Sequence, residues 1–360
     1  MTKIEWTHIP GYKGETWNPV VGCSIVSPAC THCYAMSQAA RIQRMSGDKP
    51  THYAGTTKEV NGNHVWTGKI ASAPEHIWTA PLRASKPRAY FVNSMGDLFH
   101  EDVPNEWIDR AFAIMALCPQ HIFIVLTKRA ERMQNWVGDV SAPDAVYDSV
   151  CDMALSIDGV ILRDHRLPEP PEHLLKRRQV WLGRWPLPNV WLGVTAEDQA
   201  RADERIPDLL ATPAAVRLVS VEPMIGPILM EDWLYTHSQQ AWDDKPTRDE
   251  TVDWVIVGGE SGPDARPMHP DWAQSLRDQC AAAGVAYFFK QWGEWSPAEL
   301  SESEHVALMP DGRGRVIGEP AAHVGVHRWE PPLASIKVGK ARAGHLLDGR
   351  EHHEWPKVKP

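Results

Sequence analysis

The chain is 360 residues long, 43% hydrophobic, with a formal net charge of −9. That apolar share is too high for a disordered chain, and no apolar run reaches membrane-spanning length. The acidic balance excludes a protein that coats nucleic acid by bulk charge, and the opening Met-Thr-Lys-Ile-Glu-Trp lacks a signal-peptide pattern, so a cytoplasmic protein with reduced thiols and no membrane partner is expected.

Seven short apolar runs read as strands: Trp17–Val21, Tyr90–Ser94, His121–Leu126, Val190–Val194, Val216–Val221, Trp254–Val257 and Ala286–Phe289. They are rich in β-branched and aromatic residues and mostly lack polar alternation, as strands buried on both faces should. Helical patterns fall between them at Cys33–Met45, Asn105–Leu117, Glu197–Leu210 and Asp271–Ala283. Pro104 and Pro270 suit helix starts, and Gly284 a helix stop. Repeated β-then-α units predict an α/β fold: a full or partial (β/α) barrel of parallel strands over 1–293, with an open doubly wound sheet as the other arrangement. Two stretches, about 47–88 and 138–188, interrupt the alternation and read as insertions; the second holds Leu167-Pro-Glu-Pro-Pro171 and the basic run Lys176-Arg-Arg178. Residues 294–360 read as a weakly periodic C-terminal extension packed on the barrel.

The first strand runs into a loop holding Cys23, Cys30 and Cys33, half of the six cysteines. An odd cluster of thiols in a reducing compartment suits a metal with one open coordination position. Three readings compete at this point: an iron–sulfur cluster on three thiolates, a zinc completed by a histidine, or small buried thiols. Cys118 and Cys280 read as core.

Chemistry in parallel α/β folds gathers at the C-terminal strand ends. Here those ends read Asn93-Ser-Met-Gly-Asp-Leu-Phe99, Thr127-Lys-Arg129, Thr195-Ala-Glu197, Glu222-Pro-Met-Ile-Gly226, Gly258-Gly-Glu-Ser-Gly262 with Arg266 beyond, and Lys290-Gln-Trp-Gly-Glu294. Any one of these is as readily a turn or a helix cap; polar groups at every end are more than a structural barrel needs. A basic segment adds to the pattern. Arg41 to Arg88 holds eight basic and three acidic residues, a local balance of +5, which suits a phosphate contact.

The order strand, cysteine loop with Cys-x-x-Cys, helix, then further β/α units resembles the radical S-adenosylmethionine superfamily. The whole chain also resembles a phage-encoded family of long-unassigned function. The runs that carry this likeness are Thr16-Trp-Asn-Pro-Val-Val-Gly-Cys23, Ser27-Pro-Ala-Cys-Thr-His-Cys-Tyr34, Gly258-Gly-Glu-Ser-Gly262, Phe288-Phe-Lys-Gln-Trp-Gly-Glu-Trp295 and Leu346-Leu-Asp-Gly-Arg350. Six residues separate Cys23 from Cys30 where the superfamily usually has three, and His32 stands where an aromatic residue is usual.

The resemblance implies a [4Fe-4S] cluster on Cys23, Cys30 and Cys33, with S-adenosyl-L-methionine on its open iron. It implies cofactor contacts from Tyr34, Gly96, Asp97 and Thr195, and an electron donor of flavodoxin or ferredoxin type. The implied reaction is radical isomerisation of a glycine joined through nitrogen to the thymine methyl group, giving the carbon-linked form, in phage DNA or a modified thymidine nucleotide within the host cytoplasm. Glu222, Glu260 and Lys290 are then the candidate catalytic residues, and Lys128 and Arg266 the candidate substrate cations. A base inside DNA would have to be flipped out; the basic segment with Tyr53, Trp66 and Trp78 would offer the surface, and the competing, favoured expectation is that these aromatics pack within the insertion. A radical DNA-base repair enzyme and a non-catalytic zinc-stabilised binding protein are the other expectations.

Overall fold

The computed structural model describes residues 4–47, 49, 51–156, 185–235, 251–300, 306–308, 314–316, 325–330 and 332–357. The Pro-rich and basic runs at 167–178 lie outside them. Seven strands form one parallel sheet: β1 (Lys13–Trp17), β2 (Arg88–Val92), β3 (Ile122–Thr127), β4 (Val190–Thr195), β5 (Val216–Val221), β6 (Trp254–Gly258) and β7 (Ala286–Gln291). Their order across the sheet is their order in the chain. A doubly wound sheet would reverse direction at a switch point; this one does not, so the α/β fold is that of a partial (β/α) barrel.

The helices of eight or more residues between the strands are α1 (Tyr34–Met45), α2 (Asn105–Ala116), α3 (Ala130–Val137), α4 (Ala142–Ser156), α5 (Gln199–Ala211) and α6 (Pro270–Ala283). α6 starts on Pro270 and ends at Gly284 with φ 66°, where a side chain would strain the left-handed cap. The buried-strand reading holds for β4, β5 and β6, in which every residue is buried.

The first strand is displaced from its expected position. β1 ends at Trp17, where the expected strand began, and Val20–Val21 instead pairs antiparallel with Ala71–Ser72. β1 is an edge strand carrying Lys13 and Glu15, whose charges are met by each other and by Arg88. An edge strand tolerates such residues, so apolarity points to the wrong segment. The stretch 47–88 contains a hairpin, Thr57–Val60 with Asn63–Trp66, turning on Asn61 and Gly62, both at positive φ.

Two compact units make up the chain. One comprises Met1–Val26, Ala35–Val194 and Pro207–Arg217; the other comprises Ser27–Tyr34, Thr195–Ile206 and Leu218–Pro360. The second contains a five-stranded antiparallel sheet, in the order Gly314–Val316, Val306–Leu308, Trp295–Leu300, Leu333–Lys337, Val326–Arg328. The expectation of a weakly periodic tail missed it, because strands of three to six residues are too short to show a period. Residues beyond this sheet cap the edge of β7. Phe289 N–H donates to His352 O at 2.8 Å, and Glu354 N–H to Tyr287 O at 3.1 Å. No helix among the described residues is long and apolar enough to cross a membrane.

Candidate active site

In the first unit, the loops after β1 and β2 are zipped together. Asn18 Oδ1 accepts from Ser94 Oγ and Met95 N, and Gly22 bridges Gly96 in parallel. A Cβ on Gly96 would stand 2.9 Å from the Gly22 carbonyl oxygen, so this close approach requires glycine. The zipper delivers Cys23 and Ser24 to the ends of β2 and β3.

Arg129, just after β3, waits there with its side chain 10% exposed. Its Nε donates to Glu101 at 2.7 Å, and its Nη2 to Ser24 Oγ at 2.6 Å. Its Nη1 donates to Asp97 Oδ2 at 3.0 Å and lies 3.6 Å from Cys23 Sγ. Burial pushes the guanidinium pKa down, but the Asp97, Cys23 and Glu101 charges outweigh this and raise it, so Arg129 stays cationic. His100 Nδ1 accepts from Asp102 N, which leaves Nε2 to donate to Ser24 Oγ at 2.9 Å. Ser24 in turn donates to Glu101.

Asp97 is buried, and four donors surround its carboxylate. Thr127 Oγ1 and Phe99 N meet Oδ1; Lys128 N and Arg129 Nη1 meet Oδ2. Lys128 itself is half-buried and forms no ion pair among the described residues.

Glu101 supplies a pH signature. Burial raises its carboxyl pKa, but hydrogen bonds from Arg129 and the backbone bring it down to about 2. A folded value below the ordinary glutamate value of about 4.3 contributes stability that is present above that pH and is lost as pH falls toward about 2. The Glu101 side chain is 58% exposed, so screening keeps this below about 1 kcal/mol. Urea unfolding of Glu101→Gln should therefore lose a little of the wild type's acid sensitivity across that window and match its pH dependence above it.

In the second unit, Cys30 and Cys33 occupy one 3-10 turn, Pro28–His32 with Cys33 as its C-cap; Cys33 N–H donates to Cys30 O at 3.3 Å. A second arginine anchors this turn. Arg266 Nη2 donates to Pro28 O at 3.1 Å, while Nε and Nη2 grip Glu260 at 2.8 and 2.6 Å. His32 Nδ1 stands 3.3 Å from Glu260 Oε2, an electrostatic contact without hydrogen-bond alignment. Burial raises the Glu260 carboxyl pKa, but the Arg266 side-chain and backbone hydrogen bonds and the His32 contact leave it below the usual range. Tyr34 follows, exposed, as the first residue of α1.

Glu222, past β5, pairs with Lys290 of β7. Its side chain lies over Gly258 at the end of β6, where a Cβ would stand 3.3 Å from the carboxylate. Thr195 is buried, and its carbonyl accepts from Arg205 at 2.7 Å.

Three of the sequence runs behind the family likeness interlock here. Gly259 N–H donates to Gln291 O, Glu294 N–H donates to Glu260 O, and Trp292 Nε1 donates to Leu346 O. A Cβ on Gly259 would lie 2.1 Å from the Trp292 carbonyl oxygen. Gly259→Ala should cost about 2–3 kcal/mol, read as a lowered denaturation midpoint, because neither backbone can yield.

The three candidate catalytic residues and one of the two candidate substrate cations thus fall into pairs: Glu260 with Arg266, and Glu222 with Lys290. Sequence reasoning named Arg129 at a strand end without giving it a role, and it missed Ser24, Glu101 and His100. Strand alternation was the available signal, since Thr127 and Arg129 share a face that Lys128 does not. The aromatic residues of the basic segment are core: Tyr53, Trp66 and Trp78 are all buried, and Trp78 packs on Trp17 and beneath Arg110. A cavity of about 470 Å³ opens beside them, lined by Glu15, Trp17, His52, Tyr53, Arg83 and Arg88, among others. It lies along β1 as far as Trp17 and Asn18 at that strand's end, and along the start of β2.

Among the described residues, no group of three or more His, Cys, Asp or Glu side chains is arranged to hold a metal ion. The donor chemistry nonetheless separates the cysteines. Cys118 and Cys280 are core residues, and their burial pushes the thiols up to about 12. Cys23 lies beside a guanidinium, and Cys30 and Cys33 share one turn. In kind and number, the three fit a three-thiolate cluster. No curated protein and no solved structure matches the chain. The family model described as "Protein of unknown function (DUF5131)" matches residues 1–356, nearly the whole length, so the chain belongs to the DUF5131 family.

Proposed function

We propose that this protein is a radical S-adenosylmethionine enzyme whose [4Fe-4S] cluster is held by Cys23, Cys30 and Cys33. The observation that carries this reading is the division among the cysteines: Cys23 meets Arg129, and the turn holding buried Cys30 and half-buried Cys33 is anchored by Arg266, whereas Cys118 and Cys280 lie in the core with thiol pKa values that burial raises. When bound, cluster and S-adenosylmethionine supply a 5′-deoxyadenosyl radical that abstracts an unactivated hydrogen.

The chain's own residues bind and orient around that chemistry. Asp97 and Arg129 fix the cysteine loop to the ends of β2 and β3. Glu260 and Arg266 fix the Cys30–Cys33 turn. Of the three candidate cations for a substrate carboxylate, Lys128 has no carboxylate partner among the described residues, whereas Arg266 and Lys290 are committed to Glu260 and Glu222. In the Glu222–Lys290 pair, Nζ donates to Oε1 and holds the carboxylate over the end of β6. The substrate class that fits the family likeness is a glycine-bearing thymidine in phage DNA, isomerised from nitrogen-linked to carbon-linked.

Anaerobic reconstitution with iron and sulfide, then dithionite and S-adenosylmethionine, tests the reading. The expected result is a brown protein that forms 5′-deoxyadenosine, with both properties lost in Cys30→Ala and retained in Cys151→Ser. A colourless protein that retains zinc and forms no 5′-deoxyadenosine sinks the proposal in favour of a zinc-stabilised binding protein.

A further inference from the structure

The cysteine loop is tied to the strand ends through one cation. Arg129 spends three of its five N–H groups on Asp97, Glu101 and Ser24, and it also presents Nη1 to Cys23 Sγ at 3.6 Å. Two carboxylates and a sulfur converge on this one cation. The guanidinium is rigid and planar, and its other partners lie on separate segments, so it cannot turn away from the sulfur without breaking them.

We propose that Arg129 is a positioning residue for the metal centre. It holds Cys23 ready as a ligand, and its N–H group toward the sulfur raises the reduction potential of the cluster bound there. The inference rests on the three-cysteine reading above and adds to it a residue that sets the electron affinity of the site. Hydrogen bonds to cluster sulfurs and nearby cations stabilise the reduced, more negative cluster. Without Arg129, Asp97 and Glu101 are left uncompensated beside the anionic centre, which opposes both ligand binding and reduction. The neighbouring Lys128 cannot substitute, because it is the Lys128 backbone N–H that faces Asp97.

The test uses the full chain, reconstituted anaerobically as wild type, Arg129→Gln, Arg129→Lys and Glu101→Gln. Iron per chain and the cluster midpoint potential, from a redox titration followed by electron paramagnetic resonance, are the two readouts; neither depends on turnover. Arg129→Gln is expected to take up less iron. Its reduced-to-oxidised ratio should fall about tenfold at a fixed solution potential, equivalent to about 59 mV for one electron. Arg129→Lys, which keeps a cation, should recover part of both effects. Glu101→Gln removes one anion from an exposed position and should shift the potential upward. If Arg129→Gln loses its fold by circular dichroism, the opposed shifts of Arg129→Lys and Glu101→Gln carry the decision, because a purely structural role gives them no opposed sign. A folded Arg129→Gln with wild-type iron and potential overturns the inference alone. A wild-type protein that takes up no iron overturns the cluster reading and this inference with it.

Discussion

Glu197→Ala is expected to destabilise the protein by about 3–5 kcal/mol, and Glu197→Leu combined with Arg205→Met by much less. Glu197 is fully buried and Arg205 is 2% exposed, with Nη1 donating to the carboxylate at 3.1 Å. Removing either partner strands the other charge where water cannot reach it. The pair is nonetheless imperfectly satisfied, since Glu197 Oε1 and Arg205 Nε have no hydrogen-bond partner. Two apolar side chains of similar volume relieve both orphaned atoms. What they forfeit is the bond from Arg205 to Thr195 O, about 1 kcal/mol. Urea unfolding of Glu197→Leu, Arg205→Met and their double variant closes the cycle, with Glu197→Ala measured beside it. A Glu197→Ala cost under about 1 kcal/mol would mean that the pair is hydrated in solution. The site is also affected. Arg205 ties the end of β4 to the following loop, and that loop is stitched to the next strand end by Ala196 N to Ser220 O and Ile225 N to Glu197 O. Losing the pair loosens Thr195 from its buried position.

The parallel core was legible in the sequence for a physical reason. β3 to β6 are buried on both faces, so composition alone marks them, and six of the seven strands lie within a few residues of where apolarity puts them. β1 escaped because an edge strand can carry Lys13 and Glu15. The C-terminal sheet escaped because its strands are short and one contains Pro297. At the strand ends, the polar residues were found as a set, but their pairing was not. Glu260 and Arg266 are six residues apart and look like independent candidates; only the turn after β6 brings them into a bidentate grip. Lys128 and Arg129 are neighbours of like charge, and only their alternation at the end of β3 decides which one reaches Asp97 and the cysteine loop through its side chain. The cysteines were legible as a group. What set Cys23 apart, a guanidinium from a segment 106 residues away, was not.

Asp97→Asn should cost about 2–4 kcal/mol and loosen the cysteine loop, although the two side chains have nearly the same shape. A carboxylate offers about four lone-pair sites, and in Asp97 four donors occupy them. Asparagine keeps one acceptor oxygen, enough for Thr127 and Phe99. Its amide group would then point two N–H bonds at the N–H groups of Lys128 and Arg129, leaving buried donors facing donors. Arg129 also loses the more buried of its two carboxylates, which leaves Glu101, 58% exposed, as the remaining anionic anchor for a guanidinium that must still reach Cys23. A residue whose carboxylate waited mainly for an incoming amine would behave otherwise. Its asparagine variant would unfold at the wild-type urea concentration and fail only in turnover. Measuring the urea midpoint and iron uptake of Asp97→Asn together separates the two roles. A lowered midpoint with reduced iron uptake identifies Asp97 as the anchor of the cysteine loop. An unchanged midpoint with full iron uptake returns it to the cofactor, because an acceptor that can be replaced by a donor without cost was never saturated in the folded protein.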